Sequence, residues 1–169
     1  PVYSYPEFIY RHAFDKKRVV IAGSHGKTTT TAMILHVLNK KGLEFDYLVG
    51  AQLDGFERMV KLSDAPIIVI EGDEYLSSPI DRVPKIHHYK PHISVITGIA
   101  WDHMNVFPTF ENYVEQFLIY IRTMETNSHL IYFKPDHVLC DIVEKSKHPD
   151  AEPYDSLEIN EKKEVLFED

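Results

Sequence analysis

The residues best suited to chemistry stand in one run, Gly23-Ser24-His25-Gly26-Lys27-Thr28-Thr29-Thr30. It follows the apolar stretch Arg18-Val19-Val20-Ile21-Ala22 and leads into Ala32-Met33-Ile34-Leu35-His36-Val37-Leu38. An apolar strand, a glycine-containing turn that carries a lysine, and a helix start make a phosphate-binding loop. Glycines let backbone N–H groups turn toward an anion, and the helix N-terminus adds positive potential. Lys27 brings a mobile cation to the outer phosphates. The Thr28 hydroxyl stands where the Mg²⁺ of a nucleoside triphosphate is held. The ligand is therefore expected to be ATP or a close relative. The loop is shorter than the Walker form: Ile21 occupies the position six before the lysine, and Gly23 stands four before it. A chance Gly-Lys-Thr in a surface turn is the competing reading, and the flanking strand and helix patterns disfavour it. Thr28 and Thr29 are the threonines expected to touch ligand. Thr30 and Thr31 are read as helix packing or capping positions.

Two more clusters close apolar runs, at the strand ends where open α/β sheets place their ligands. In Glu71-Gly72-Asp73-Glu74-Tyr75, an acidic residue at a strand end can hold Mg²⁺ from the side opposite the loop threonine. Three carboxylates in four residues repel one another unless a cation or solvent relieves them. The alternative is a solvated acidic turn. In Thr97-Gly98-Ile99-Ala100-Trp101-Asp102-His103, His103 offers an imidazole to a metal. The chain has ten histidines, so a single Asp-His pair is a weak signal. His87, His88 and His92, beside Lys90-Pro91, read as surface residues of a loop, and His36 reads as packed within an apolar helix.

These residues need a scaffold of short strands alternating with helices. Strands are predicted at 18–22, 45–49, 66–70, 93–97 and 130–133, and helices at 28–41, 109–126 and 135–145. The strands are apolar on both faces, which suits a parallel sheet covered by helices. The fold class is α/β, a P-loop-type mostly parallel sheet flanked by helices. Residues 3–17 read as a linker plus a short helix. The segment 151–169 is acidic and weakly patterned, with one candidate strand at Glu164-Val165-Leu166-Phe167. A length of 169 residues and 44% hydrophobic content allow one domain with a real core. The balance of 18 basic and 26 acidic residues, net −8, argues against a nucleic-acid binder, which would normally carry a basic face. No apolar run reaches membrane-spanning length, and no signal peptide is expected. The single Cys140 cannot form an internal disulfide, suits a reducing cytoplasm, and is assigned no chemistry.

Together, the shortened loop, the Glu71-Gly72-Asp73-Glu74 segment and Asp102-His103-Met104 resemble the central ATP-binding domain of the Mur ligases, bacterial enzymes that build the peptide stem of peptidoglycan. The histidine within Ser24-His25-Gly26-Lys27 is similar to the branch acting directly on UDP-N-acetylmuramate. Tyr75 after the acidic cluster and Val106-Phe107-Pro108-Thr109 after His103 are closer to its recycling members, which add a preformed L-alanyl-γ-D-glutamyl-meso-diaminopimelate tripeptide, than to those adding L-alanine. The resemblance runs from about residue 18 to 126. It implies that Gly23, Ser24, His25, Gly26, Lys27, Thr28 and Thr29 form the nucleotide loop, with Lys27 and the backbone of His25 and Gly26 on the β- and γ-phosphates. It implies Thr28 and Glu71 on a first Mg²⁺ and His103 on a second metal, with Lys27 and His103 the catalytic pair. The muramyl carboxylate would be phosphorylated by ATP and then attacked by an amine. Residues 50–56 would shape part of the muramyl pocket. The family usually has asparagine where Gly98 stands and often glutamate where Ala100 stands. On this reading residues 1–17 are a linker from an N-terminal nucleotide-sugar domain, and 18–169 are a partial central domain. Both outer domains would be missing, so the isolated piece is expected to be inactive. A folylpolyglutamate synthetase-like ligase and a non-catalytic ATP-binding P-loop module are the alternatives.

Overall fold

The structure is a computed structural model that describes residues 2–155. Its elements in chain order are α1 (Tyr5–His12), β1 (Lys17–Ala22), α2 (Lys27–Lys40), β2 (Asp46–Leu48), β3 (Val60–Lys61) and β4 (Ile67–Glu71). Then come α3 (Ile86–Tyr89), β5 (Ile93–Ile96), α4 (Phe110–Arg122), β6 (His129–Phe133), α5 (His137–Ser146) and β7 (Ala151–Tyr154). The strands form one sheet in the order β3-β2-β4-β1-β5-β6-β7. Every pairing is parallel except β2 with β3. Central β1 sets the register, with Val19 opposite Val69 on one side and Ile93 on the other.

Alternation along the central strands feeds two cores. Val20, Ala22, Ile68 and Ile70 face one side, with Ile86, Tyr113, Phe117, Tyr120 and Leu139 from the helices that follow β4, β5 and β6. Ile21 and Val69 face the other, against Leu35 of α2 and Phe45, Tyr47 and Val49 around β2. Helix interiors of this kind are held by tertiary packing more than by propensity. That explains how α2 begins on a threonine run of poor helix formers.

All five predicted strands form, each within two residues of its expected ends. The sheet adds two short edge strands, β3 and β7, that lack an apolar signal. Pro153 within β7 cannot donate to a ladder, which suits an edge position. Side-chain caps trim the helices. The Thr109 hydroxyl accepts from Asn112 N at 3.2 Å and Asp136 from Leu139 N at 3.0 Å, so α5 starts after Pro135. The candidate strand at 164–167 lies outside the described residues.

Two readings need correction. His87 and His88 belong to α3 rather than a loop, and with His92 they are half-buried. His87 Nε2 lies 2.9 Å from Gln116 O, and His92 Nδ1 accepts from Arg18 N at 3.2 Å. His36 is exposed, because the face of α2 that meets the sheet carries Thr31 and Leu35. Arg18 lies in β1 as expected, and its side chain is 1% exposed. Its guanidinium donates to Ala13 O, Phe14 O, Tyr89 O and Lys90 O and pairs with Glu125, tying α1, α3 and the turn after α4 to the sheet.

Candidate functional site

β4, β1 and β5 lie side by side, so the segments leaving their C-terminal ends meet above the sheet. The chain leaves β1 through α2 toward β2, and leaves β4 through α3 toward β5. It thus departs in opposite directions around β1, which opens the crevice where open α/β sheets bind ligands. Gly23 opens the loop at φ 119°, and a Cβ there would stand 2.9 Å from Gly98 O, so no side chain fits. Gly26 is the N-cap of α2. Two staples pin the loop to the segment after β5. Ser24 N donates to Gly98 O at 2.9 Å, and Ser24 Oγ donates to Ala100 O at 2.7 Å while accepting from Ala100 N at 2.8 Å. The Tyr113 hydroxyl of α4 lies 2.9 Å from the same Oγ. The Thr97 hydroxyl donates to His25 O.

The lysine and threonine at the start of α2 meet carboxylates from the segment after β4. Lys27 Nζ donates to Gly23 O at 2.5 Å and to Glu74 Oε2 at 3.1 Å. Thr28 Oγ1 donates to Glu71 Oε1 at 2.7 Å, and Glu71 Oε2 accepts from Gly50 N at 2.9 Å, which brings the start of the 50–56 loop to the site. Ligand atoms of Asp73, Glu74 and His103 lie within 4.8 Å of one another. The His103 ring packs edge-on against Tyr75, with centroids 5.2 Å apart, and its backbone takes φ 55°. Burial raises the Glu74 pKa against the opposing charge of Lys27. Burial would also raise that of Asp73, but hydrogen bonds from Lys85 and Tyr75 N more than offset it and hold it low. Burial also pushes the Tyr113 hydroxyl upward, so it stays protonated and able to donate.

Lys27, Thr28, Glu71 and His103 thus come together beyond the strand ends. Gly23, His25, Gly26 and exposed Thr29 lie on the loop and the first turn of α2. Ser24 is buried, and its hydroxyl is committed to Ala100 and Tyr113, so only its backbone belongs to the loop surface. The carboxylate and hydroxyl oxygens of Glu71 and Thr28 suit a hard divalent cation, and the His103 imidazole, grouped with Asp73 and Glu74, adds a softer nitrogen donor. Gly98 has φ 134°, a conformation closed to asparagine, and its missing Cβ faces Asp136 Oδ2, which accepts from Ile99 N instead. Sequence reasoning assigned no role to Glu74, Thr97, Tyr113 or Asp136. Their partners lie 37 to 89 residues away, and no periodicity announces such pairings.

A family model described as the Mur ligase middle domain matches residues 21–168. The UDP-N-acetylmuramate–L-alanyl-γ-D-glutamyl-meso-2,6-diaminoheptandioate ligase of Haemophilus influenzae is 34% identical over 120 residues, covering 70% of this chain and 26% of that protein. The UDP-N-acetylmuramate–L-alanine ligase of Roseiflexus is 32% identical over 148 residues, covering 86% and 30%. The crystal structure of the UDP-N-acetylmuramate:L-alanyl-γ-D-glutamyl-meso-diaminopimelate ligase from Neisseria meningitides superposes with a TM-score of 0.83 at 26% identity, covering 92% of this chain and 53% of that one. The chain thus spans between a quarter and a third of the length of these two curated relatives.

Proposed function

The chain belongs to the Mur ligase middle-domain family, and from that premise we propose that it is the nucleotide-handling part of an ATP-dependent ligase of peptidoglycan recycling in the bacterial cytoplasm. The complete enzyme joins a peptide to the carboxylate of UDP-N-acetylmuramate. The observation that carries this reading is the convergence of Lys27, the Thr28–Glu71 pair and His103 beyond the ends of β4, β1 and β5. In this reading Lys27 and the N–H groups of His25 and Gly26 hold the β- and γ-phosphates. Thr28 and Glu71 hold one Mg²⁺, and His103 holds a second divalent cation. Bound there, the cations would neutralise charge on the transferring phosphoryl group. The muramyl carboxylate takes the γ-phosphoryl group and releases ADP. The peptide amine then attacks the acyl phosphate, forming the amide and releasing phosphate. Residues 50–56, tied to the site through Gly50 N, border the muramyl end. A nucleotide-sugar domain presents the carboxylate and a closing domain excludes water, so the 169-residue chain alone does not ligate.

The tripeptide is favoured as second substrate because the H. influenzae relative and the N. meningitides neighbour are named as ligases of that peptide. L-Alanine is the second reading, supported by the Roseiflexus relative. The test joins the chain to both outer domains and supplies UDP-N-acetylmuramate and MgATP with either tripeptide or L-alanine. Faster amide formation with the tripeptide is expected, preference for L-alanine moves the enzyme to the second reading, and ATP bound without any ligation overturns both.

A further inference from the structure

We propose that Glu74 is the positioning residue of the phosphate loop: it holds the Lys27 ammonium over the loop before any ligand arrives, as an orienting acceptor and not as a metal ligand. The inference rests on the nucleotide reading above and adds a residue to it. Glu74 is 1% exposed, and its two oxygens divide between the ends of one loop. Oε1 accepts from Gly23 N at 3.1 Å, where the loop leaves β1. Oε2 accepts from Lys27 Nζ at 3.1 Å, where the loop enters α2. The carboxylate therefore spans the loop from beneath and fixes its width.

The effect on Lys27 follows from donor counting. An ammonium has three N–H donors. Two are taken, by Glu74 Oε2 and by Gly23 O, which leaves one for a phosphate. A four-carbon stem held at its tip has already lost the rotamer freedom that binding would otherwise remove. The same bonds sort the backbone donors. Gly23 N and Ser24 N are committed to Glu74 and to Gly98 O, so the donors left for an anion begin at His25.

Glu74 also lies within 4.8 Å of the ligand atoms of Asp73 and His103, which makes a metal-ligand role the rival account. Its oxygens already serve Gly23 N and Lys27. A buried carboxylate that left Lys27 for a cation would strand the Gly23 N–H and release the lysine. The geometry assigns Glu74 to the loop and leaves metal binding to Glu71 and His103.

The test uses the chain itself in two measurements. First, the nucleotide-free wild type, Glu74→Gln and Glu74→Asp are treated with a lysine-acetylating reagent, and each site is followed by mass spectrometry. Glutamine can accept from only one of the two partners, and aspartate is too short to span both. Acetylation at Lys27 is expected to rise severalfold in both variants, with Lys16 and Lys85 unchanged. An unchanged Lys27 rate overturns the proposal, as does an equal rise at all three lysines, which marks general loosening. If Glu74→Gln does not fold, Glu74→Asp, which keeps the charge, decides alone. Second, MgATP affinity is measured by calorimetry with and without excess Mg²⁺. Losing one charge-assisted orienting bond is expected to weaken binding about tenfold. Recovery by excess Mg²⁺ would make Glu74 a metal ligand and overturn the proposal. A wild type that binds no MgATP defeats the nucleotide reading, whereas the acetylation result still decides whether Glu74 holds Lys27.

Discussion

The Thr28 hydroxyl donates to Glu71 Oε1 over 2.7 Å, although the two residues stand 43 apart in the sequence. The bond joins the first turn of α2, which follows β1, to the end of the neighbouring strand β4. Each residue sits at the mouth of the crevice because the parallel sheet places both chain exits at the same edge. On the proposed reading, a cation entering there would replace the hydroxyl–carboxylate bond with two oxygen ligands, a small local adjustment.

Thr28→Val keeps the shape and removes that oxygen. The Mg²⁺ concentration needed for half-maximal nucleotide binding is expected to rise about tenfold, the scale of one bond to a charged centre. Titrating Mg²⁺ at fixed ATP measures it, and an unchanged requirement removes Thr28 from the metal site.

Lys27→Ala removes the loop cation. Nucleotide affinity is expected to fall by a factor on the order of 100, from loss of a charge-assisted bond in a partly buried site. The fold should persist with lower stability, by about 1–3 kcal/mol, because buried Glu74 loses its cation. Burial already raises the Glu74 pKa, so the carboxyl can take up a proton and limit that cost. Circular dichroism and denaturant unfolding test both parts; full ATP affinity would remove Lys27 from the site.

Arg18→Leu tests the scaffold rather than the site. Leucine leaves the carbonyls of Ala13, Phe14, Tyr89 and Lys90 without their donor and Glu125 without its cation. Removing one partner of a buried ionic network costs about 3–5 kcal/mol. The urea midpoint should drop accordingly, and a change below about 1 kcal/mol would show that water replaces the guanidinium at little cost.

Acid stability should depend on Asp46, which is fully buried. Burial would raise its pKa, but hydrogen bonds from Lys16 at 2.7 Å and Ser63 at 2.6 Å outweigh that and hold it below the ordinary value near 4. A depressed folded pKa contributes stability that is complete above the unfolded value and is lost as pH falls through the folded one. Unfolding free energy should therefore decline below about pH 4. In Asp46→Asn that part of the slope should vanish; an identical slope would place the acid sensitivity elsewhere.

Ser24→Ala removes the hydroxyl that clasps both backbone groups of Ala100 and meets Tyr113. A loss of about 1–3 kcal/mol is expected, since the Ala100 N–H loses its acceptor. Tyr113→Phe should cost about 1 kcal/mol, because Ser24 keeps its other bonds. Denaturant unfolding compares the two, and a larger loss in Tyr113→Phe would reverse the order of importance.

Local information carries the strands, the phosphate loop and its lysine. A five-residue apolar run has to bury both faces, and a glycine turn into a helix start has to aim N–H groups outward, whatever else the chain does. Lys27 and Thr28 after β1, Glu71 at the end of β4 and His103 after β5 could be singled out because they follow strands, while the metal role expected of His103 came from the family resemblance and not from its local pattern. The packing of distant segments decided the rest. It turned His36 outward, because Thr31 and Leu35 occupy the inner face of α2. It buried Arg18 under α1, α3 and the turn after α4. It set Glu74 beneath the loop and clasped Ser24 to Ala100. Each of these depends on which strands become neighbours, here β4 and β5 on either side of β1. Strand order is a property of the whole sheet, settled by crossovers that no single stretch of residues specifies.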